Sequence, residues 1–315
     1  MKIRSAGLLD LSRIEEMHRS SDVKLSEAEP PAARLWTLLS STLSALLPLA
    51  QDTLIYVAEE KGKVVGYIQA SGQPLALDLR RARVLQVLNL QVADEVDADE
   101  VAPALVQHLC NQALERGAMR LFVRLPDRDA LLPAFRLAGF RQYATEQVLY
   151  SEKPRQRSDE YPLGVRPTRR GDDRRLYHLY RKVTPQGVSQ LEAPTFRDWR
   201  GLHAGDAAGG HVVDRIEVVG FVRVQRGGAA RPDTLQLMAL PEHPLPAELA
   251  DYGISLLGDS ETPAWSSLRH YDSHMIDALR GRGFTILLTQ LLLVKELAVR
   301  VPKPVREKGL VPSFG

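Results

Sequence analysis

The sequence predicts an α/β (α+β) protein made of two tandem copies of one fold. Its 315 residues are enough for two domains of ordinary size. Four segments of the first half recur in the same order in the second half. Each half also follows one succession of strand, helices, hairpin, strand, helix, strand, helix and strand. We therefore expect the two halves to superpose.

The bulk composition is that of a soluble globular protein. Apolar residues make up 44% of the chain, charged residues 25%, and the formal net charge is only +2. Such a balanced charge gives no indication of nucleic-acid binding. The one cysteine, Cys110, excludes an intrachain disulfide and falls on an apolar helix face, as expected in a reducing cytosol. The chain start becomes charged too early for a signal peptide, so we expect a cytoplasmic location.

The most apolar run, RLWTLLSSTLSALLPLA at 34–50, is too short to span a membrane. It contains four Ser or Thr residues and Pro48, whereas a membrane helix needs about 20 apolar residues. We predict a packed amphipathic helix and no membrane association. The leucines on one face of this helix are Leu35, Leu38, Leu39, Leu43, Leu46 and Leu47.

The repeat begins at the start of each half. KIRSAGLLDLSRIEEMHR at 2–19 aligns with GVRPTRRGDDRRLYHLYR at 164–181, and both predict a short strand, a polar turn and an amphipathic helix. The aligned pairs are Ile3 with Val165, Arg4 with Arg166, Asp10 with Asp172 and Ile14 with Leu176. The later matches are VVGYIQA (64–70) with VVGFVRV (218–224), LNLQVADE (88–95) with LQLMALPE (235–242), and AGFRQYATEQVLYSEK (138–153) with RGFTILLTQLLLVKEL (282–297).

The boundary between the copies falls in SEKPRQRSDEYP, a polar segment that ends in proline. We predict an N-terminal domain over 1–153, a linker over 154–162, a C-terminal domain over 163–301 and a basic tail over 302–315. In the first copy the longest helix has apolar residues at four-residue spacing and ends at Gly117.

The hairpin that closes with V-V-G-Y, and the A-G-F after the last helix, resemble the GNAT superfamily of acyl-CoA-dependent N-acetyltransferases. The resemblance covers nearly the whole chain and implies two GNAT-like domains, each a mixed, mostly antiparallel sheet flanked by helices. It also implies that a splayed pair of strands admits the pantetheine arm of acetyl-CoA or another acyl-CoA. The residues on that path would be Leu90, Val92, Leu237 and Ala239.

The family holds the pyrophosphate on a glycine-rich loop and the following helix N-terminus, where free N–H groups and the helix dipole favour an anion. In copy one the loop contains Asp97, Asp99 and Glu100 where glycine and a basic residue are expected. The acids predict N-capping of the helix and repulsion of pyrophosphate. Calcium or a basic partner is the alternative for this acidic run, although it lacks the glycine and the distal glutamate of a calcium loop.

The loop of copy two, PEHPLPAEL at 241–249, has three prolines and no glycine. Prolines lack the N–H groups of a phosphate cradle, and Pro246 suits a first helical turn. The resemblance also implies a tyrosine, four residues before the Gly-Phe pair, that protonates the leaving thiolate. Phe135 and Leu279 stand at those positions, so both acetyl-CoA motifs are eroded.

The segment RHYDSHM follows a copy-two strand and is the best candidate for a surviving polar site. His270, Tyr271 and His274 come from it, and His243 comes from the neighbouring loop. Imidazoles there could bind a ligand or relay a proton. The alternative is a solvated turn with Asp272 or Ser273 capping the helix. No zinc-like spacing is present.

Three functions remain open from the sequence. The first is an acyl-CoA-dependent N-acyltransferase acting through a modified loop on a small amine or a protein. The second is a catalytically silent module, a pseudoenzyme, that binds a ligand or a protein and needs no cofactor. The third is a structural role, for example in a homodimer, in which one copy stabilises the other.

Overall fold

A computed structural model describes residues 1–17, 53–72, 84–202, 209–227, 232–258 and 263–297. The predicted helix at 34–50 and the predicted tail at 302–315 lie outside these residues.

The first copy begins with a short strand, a 3-10 turn and a helical segment at 11–17. A hairpin, two helices and three further strands follow. The strands are β1 (Lys2–Ser5), β2 (Thr53–Glu60), β3 (Lys63–Gly72), β4 (Val84–Val92), β5 (Arg120–Pro126) and β6 (Arg141–Ser151), and the helices are α1 (Ala98–Glu115) and α2 (Leu132–Leu137).

The second copy repeats this order. Its strands are β7 (Val165–Pro167), β8 (His211–Asp214), β9 (Val218–Gln225), β10 (Asp233–Ala239), β11 (Ala264–Arg269) and β12 (Thr285–Glu296). Its helices are α3 (Asp172–Val183), α4 (Gln186–Glu192), α5 (Phe196–Leu202), α6 (Leu245–Leu257) and α7 (Ser273–Arg280).

All twelve of these strands join in one sheet, and the two copies exchange their last strands. The order is β1-β2-β3-β4-β5-β12-β6-β11-β10-β9-β8-β7, so β12 lies between β5 and β6, and β6 lies between β12 and β11. Only β4 with β5 and β10 with β11 are parallel pairs among the described strands. The sheet is therefore mixed and mostly antiparallel, as predicted, but it is shared by the copies.

The exchanged strands also complete the hydrophobic core of the opposite copy. Leu293 of β12 packs with α1 and α2 of copy one, and Leu149 of β6 packs with α6 and α7 of copy two. These two leucines align with each other in the repeat. Neither copy closes its core without the other.

The aligned starts of the two copies make the same partly buried ion pair. Arg4 donates two hydrogen bonds to Asp10, of 2.6 and 2.9 Å. Arg166 donates two to Asp172, of 2.8 and 3.0 Å. This bidentate geometry fixes the turn between the first strand and the first helix, because it holds the guanidinium in one orientation. The arginines also lower the pKa of both aspartates.

Local predictions hold where the sequence pattern is strong. The helix with apolar four-residue spacing is α1; Val101, Leu105 and Leu109 are buried on it, and Gly117 follows its end with φ of 82°. By contrast, β6 begins at Arg141, earlier than its apolar segment suggests, because polar residues there pair with β12 and β11. Within the described residues, no helix is both long and apolar enough to cross a membrane.

Candidate functional site

Both copies contain a wedge between two parallel strands. In copy one, β4 and β5 pair only from Val84 to Gln86 on β4, although β4 continues to Val92. In copy two, β10 and β11 pair only at Asp233 and Thr234. Beyond these pairs the strands separate toward their C-terminal ends. Both wedges agree with the splayed strand pair implied by the resemblance.

The anion site at the start of α1 is filled by its own chain. Asp97 is the N-cap, and its carboxylate accepts a hydrogen bond of 2.9 Å from the Asp99 N–H. The N–H groups of Glu100 and Val101 donate to the Asp97 carbonyl, at 3.3 and 3.1 Å. The predicted capping is confirmed. These groups cannot hold a pyrophosphate while they keep their present partners.

The start of α6 is closed by its prolines. A cis bond joins His243 to Pro244. The Leu245 N–H donates to Glu242 at 2.9 Å, and the N–H groups of Ala247 and Glu248 donate to Pro244 at 3.0 and 3.2 Å. The two prolines of this turn, Pro244 and Pro246, have no N–H. The first turn of α6 therefore offers no free donor.

The positions of the family's tyrosine lie in the hydrophobic core. Phe135 and Leu279 are both completely buried. Phe135 packs edge to face against Phe140, with ring centroids 5.2 Å apart. A side chain at either position therefore cannot reach a ligand in the wedge without repacking the core.

The predicted histidine site separates into different contacts. The Nδ1 atom of His270 lies 3.3 Å from the Thr145 carbonyl oxygen on β6, and His270 is exposed. The Nε2 atom of His274 lies 3.0 Å from the Ala239 carbonyl oxygen at the end of β10. His243 is exposed beside the cis bond.

Among these four candidates, only Tyr271 lines the cavity of about 250 Å³ that lies at the junction of the copies. Burial and the carboxylates of Glu192 and Asp272 raise its pKa, and Arg269 opposes them. Among the described residues, no group of three His, Cys, Asp or Glu side chains is placed to hold a metal ion.

The predicted cofactor path follows the inner strands of the two wedges. Leu90 and Val92 lie where β4 pairs with β3, next to the separated part of the wedge. Leu237 lines the cavity at the junction of the copies, and the Ala239 carbonyl already accepts a hydrogen bond from the imidazole of His274. Contact of these residues with a pantetheine arm stays a prediction.

The junction of the copies contains a buried polar cluster that the sequence did not reveal. Arg269 donates to Glu192 at 2.9 Å and lies 3.5 Å from Glu146. Tyr143 donates to Glu192 at 2.7 Å, and Tyr180 donates to it at 3.3 Å. The exposed fractions are only 16% for the Arg269 side chain, 14% for Glu192 and 4% for Glu146.

Burial opposes the charge on Arg269, but the two glutamates outweigh it and raise the pKa of this arginine. Burial, reinforced by Glu192, raises the pKa of Tyr143 and Tyr180. The tyrosines therefore remain neutral donors at physiological pH, and Arg269 remains charged.

Both copies contribute to the cluster because of the strand exchange. Tyr143 and Glu146 belong to β6 of copy one, whereas Arg269 and Glu192 belong to copy two. A bulge in β6 leaves Tyr143 without a partner residue on β12 and turns it toward Glu192. β12 has its own bulge at Leu287, the residue aligned with Tyr143.

A cavity of about 250 Å³ opens beside this cluster. Its polar lining includes Asp272, whose side chain makes no capping bond although it stands at the N-cap of α7. Burial raises the pKa of Asp272 to about 7, against weaker opposing effects of the Arg269 backbone N–H and guanidinium. Asp272 therefore occupies the N-cap position of α7 without a side-chain capping bond, and it lines the cavity.

A charged residue inside an apolar strand is the one sequence signal that could have indicated this cluster. Glu146 interrupts the last strand of copy one, and Arg269 ends the strand AWSSLR. Burial of such residues requires a partner. The sequence does not show that the partner lies in the opposite copy.

Comparisons with known proteins agree with this architecture. Residues 14–140 match the model of the acetyltransferase (GNAT) family. No curated protein sequence matches the chain.

Several solved structures resemble it over nearly its whole length. A GCN5-related N-acetyltransferase from Sphaerobacter thermophilus has a TM-score of 0.61 at 16% identity, covering 94% of this chain and 95% of its own. A tandem GNAT protein from the clavulanic acid biosynthesis pathway has a TM-score of 0.58 at 14% identity, covering 94% and 98%. A putative acetyltransferase from Pyrococcus horikoshii has a TM-score of 0.54 at 13% identity, covering 95% and 90%.

The chain therefore has an N-acetyltransferase-like fold. Its two copies share one α/β sheet and each contains a wedge, the first copy matches the family model, and solved structures resemble the whole chain. Residues 14–140 resemble the GNAT acetyltransferase family in sequence, and the whole chain is similar in fold to solved GNAT proteins, one of which is a tandem protein.

Proposed function

We propose that this chain is a non-catalytic GNAT-fold protein that binds a small ligand in the cavity at the junction of its copies. The starts of α1 and α6 give the strongest support for the absence of catalysis. At α1 the carboxylate of Asp97 occupies the Asp99 N–H, and at α6 two prolines lack the N–H groups that a pyrophosphate would need. The acidic residues of the first loop also stabilise α1 by about 0.3–1 kcal/mol each. An anion bound there would have to displace these side chains.

Two further observations support the same proposal. The core positions of Phe135 and Leu279 leave the leaving thiolate without a tyrosine donor. The Ala239 carbonyl, on the edge where a pantetheine arm would lie, is already bonded to His274. Each change weakens a different part of acyl-CoA binding or chemistry, and together they affect both copies.

An acyl-CoA-dependent N-acyltransferase is the second candidate, because both wedges persist. Transfer in this family needs mainly correct positioning of the reactants, and positioning alone provides a large part of a rate enhancement. In that case acetyl-CoA or another acyl-CoA is the cofactor, and Asp272 is a base with a pKa suited to neutral pH.

The two candidates are separated by titrating acetyl-CoA into the intact protein in a calorimeter. The wild type is expected to bind acetyl-CoA with a Kd above about 1 mM. The variant Asp97→Arg/Asp99→Gly/Glu100→Gly restores charge and glycine to the first loop and should bind at least about tenfold more tightly. The matched control Asp99→Gly/Glu100→Gly keeps the Asp97 cap and should gain much less.

Equal, saturable binding by the wild type and the repaired variant would show that the loop does not exclude the cofactor. Circular dichroism of all three proteins checks that the glycines have not unfolded α1, since glycine costs a helix about 1 kcal/mol per residue.

A further inference from the structure

Side chains of both signs line the cavity at the junction. Arg269 and Arg124 contribute two positive charges, and Glu192 contributes one negative charge, to which Asp272 adds a second when it is ionised. Arg269 and Arg124 also lie 3.5 and 3.6 Å from Glu146, which is outside the cavity lining. A ligand that carries both a negative and a positive group can pair with both kinds of side chain. The cavity therefore favours a ligand with charges of both signs.

Two lining residues have hydrogen-bonding capacity that the protein leaves unused. Among the described residues, the Nη1 atom of Arg269 is buried without a hydrogen-bond partner, and Arg269 lines the cavity. Asp272 also lines the cavity, and its side chain does not cap α7. An unsatisfied buried polar atom costs about 1–3 kcal/mol, so a ligand whose entry lets this Nη1 atom donate a hydrogen bond gains affinity. The ligand should therefore contain an acceptor for Arg269 and a donor for Asp272.

The walls of the cavity define the size and the remaining chemistry of the ligand. Its volume of about 250 Å³ suits a molecule of roughly ten heavy atoms. Tyrosine rings stand near the acidic side chains and suit an ammonium group. The aromatic and aliphatic lining residues include Phe122, Tyr143, Tyr180, Tyr271, Leu237 and Leu292.

We propose that this cavity binds a small zwitterion of the amino-acid type, with its carboxylate toward Arg269 and Arg124 and its ammonium toward Glu192 and Asp272. The ligand adds no net charge to the site because its own charges cancel. The proposal rests on the proposed function, since it assigns the ligand of the same cavity. It goes beyond that function because it names the two groups of the ligand that the site recognises, a carboxylate and an ammonium.

Binding should depend on pH through Asp272. Burial raises the pKa of this carboxyl to about 7, and the groups that face it are Arg269, Tyr271 and Glu192. The ammonium pairs with the ionised form, so affinity should fall as the pH decreases below about 7. Because one proton must leave Asp272 for each ligand bound, affinity should fall about tenfold for each further pH unit below 7.

The probes are the standard L-amino acids, tested by thermal shift and then calorimetry on the intact protein at pH 8. At least one should bind saturably. Its amide lacks the carboxylate and its N-acetyl derivative lacks the ammonium, so each should bind at least about tenfold more weakly. Failure of every amino acid to bind overturns the proposal. Equal binding of the amide, or of the N-acetyl derivative, also overturns it.

Two pairs of variants place the ligand in the cavity. Asp272→Asn should weaken binding at least about tenfold at pH 8 and remove its pH dependence. The control Asp129→Asn changes the matching residue of copy one, whose carboxylate accepts a hydrogen bond from the Leu131 N–H within its own turn, and should leave binding unchanged. Arg124→Gln should weaken binding, whereas Arg128→Gln, on an exposed turn, should not. Unchanged binding in both Asp272→Asn and Arg124→Gln overturns the proposed site.

Acetyl-CoA consumption in the presence of the bound amino acid separates the two proposals. Acetylation of the amino acid would contradict the non-catalytic function and leave the ligand class standing. An inert protein that binds neither amino acids nor acetyl-CoA would contradict the ligand class and leave the absence of catalysis standing.

Discussion

Asp272 and Asp129 occupy matching turns in the two copies and have different roles. Each backbone N–H donates to the residue that ends the preceding strand, Arg269 or Pro126, at 2.9 and 3.1 Å. Asp129 then accepts a hydrogen bond of 2.7 Å from the Leu131 N–H. Asp272 makes no such bond and faces the cavity. One copy uses the residue for structure, and the other leaves it available to a ligand.

The pKa of Asp272 predicts a measurable pH dependence of stability. Its pKa is about 7 in the folded protein, against an ordinary value of 3.8, so the folded state keeps a proton that the unfolded state has lost. Stability should therefore decrease as the pH rises from about 4 to about 7, and then level off. Asp272→Asn removes this effect because the amide does not titrate.

Urea denaturation of the wild type and Asp272→Asn between pH 4 and 8 checks this prediction. The variant should gain about 2 kcal/mol of unfolding free energy relative to the wild type across that interval, because Asp272 is only partly buried and solvent reduces the full effect of the pKa shift. Parallel stability curves for the two proteins would mean that Asp272 is already ionised in the folded state at low pH.

At the residue scale, the sequence predicts local roles well and remote ones poorly. The sequence predicts that Asp97 or Asp99 caps α1, and the structure has Asp97 there, because a cap and its helix are neighbours in the chain. The contact of Glu146 with Arg269 spans the two copies and depends on the position of an exchanged strand. No periodicity or spacing contains that information.

At the scale of elements, Gly66 fixes the distance between β3 and α1. A Cβ atom at this position would lie 3.0 Å from the Val101 side chain and 3.1 Å from the backbone oxygen of Gln91. The backbone cannot move aside cheaply, so the helix would have to shift. The V-V-G-Y segment therefore reflects close packing of a helix on the sheet. Gly220 of copy two is also closely packed, against Val213 and Leu249.

We expect Gly66→Ala to lower the free energy of unfolding by about 1–3 kcal/mol, the usual effect of overpacking. Gly187 provides the matched control, because nothing lies within 4 Å of its added Cβ in α4. Gly187→Ala should raise stability by about 0.5–1 kcal/mol, since alanine is the better helix former. Chemical denaturation measures both. A neutral Gly66→Ala would mean that α1 is free to move on the sheet.

Most elements could be predicted because their signals are local. Apolar spacing gave α1, and two turn residues, Lys61 and Gly62, close the β2–β3 hairpin with positive φ. The candidate site was harder, since only Tyr271 of the four predicted residues lines the cavity. The other three residues are predicted from their side-chain chemistry, which does not determine the direction in which a side chain points.

At the scale of the whole molecule, the exchange of β6 and β12 makes the two copies one folding unit. The copies share a continuous sheet, and each supplies a core leucine to the other. The repeat in the sequence predicts two similar folds. It cannot predict the exchange, because β6 would pair with the same kind of neighbour in either copy. The cavity at the junction depends on this arrangement.

Cutting the linker tests the strand exchange most directly. A protease site inserted between Asp159 and Glu160, both exposed, separates the chain into its two copies without touching a strand. Size-exclusion chromatography under native conditions then measures the product. We predict a single species at the position of the intact 35.1 kDa protein, with fragments that separate only in denaturant. Two folded fragments that elute separately without denaturant would contradict the shared sheet and the site built on it.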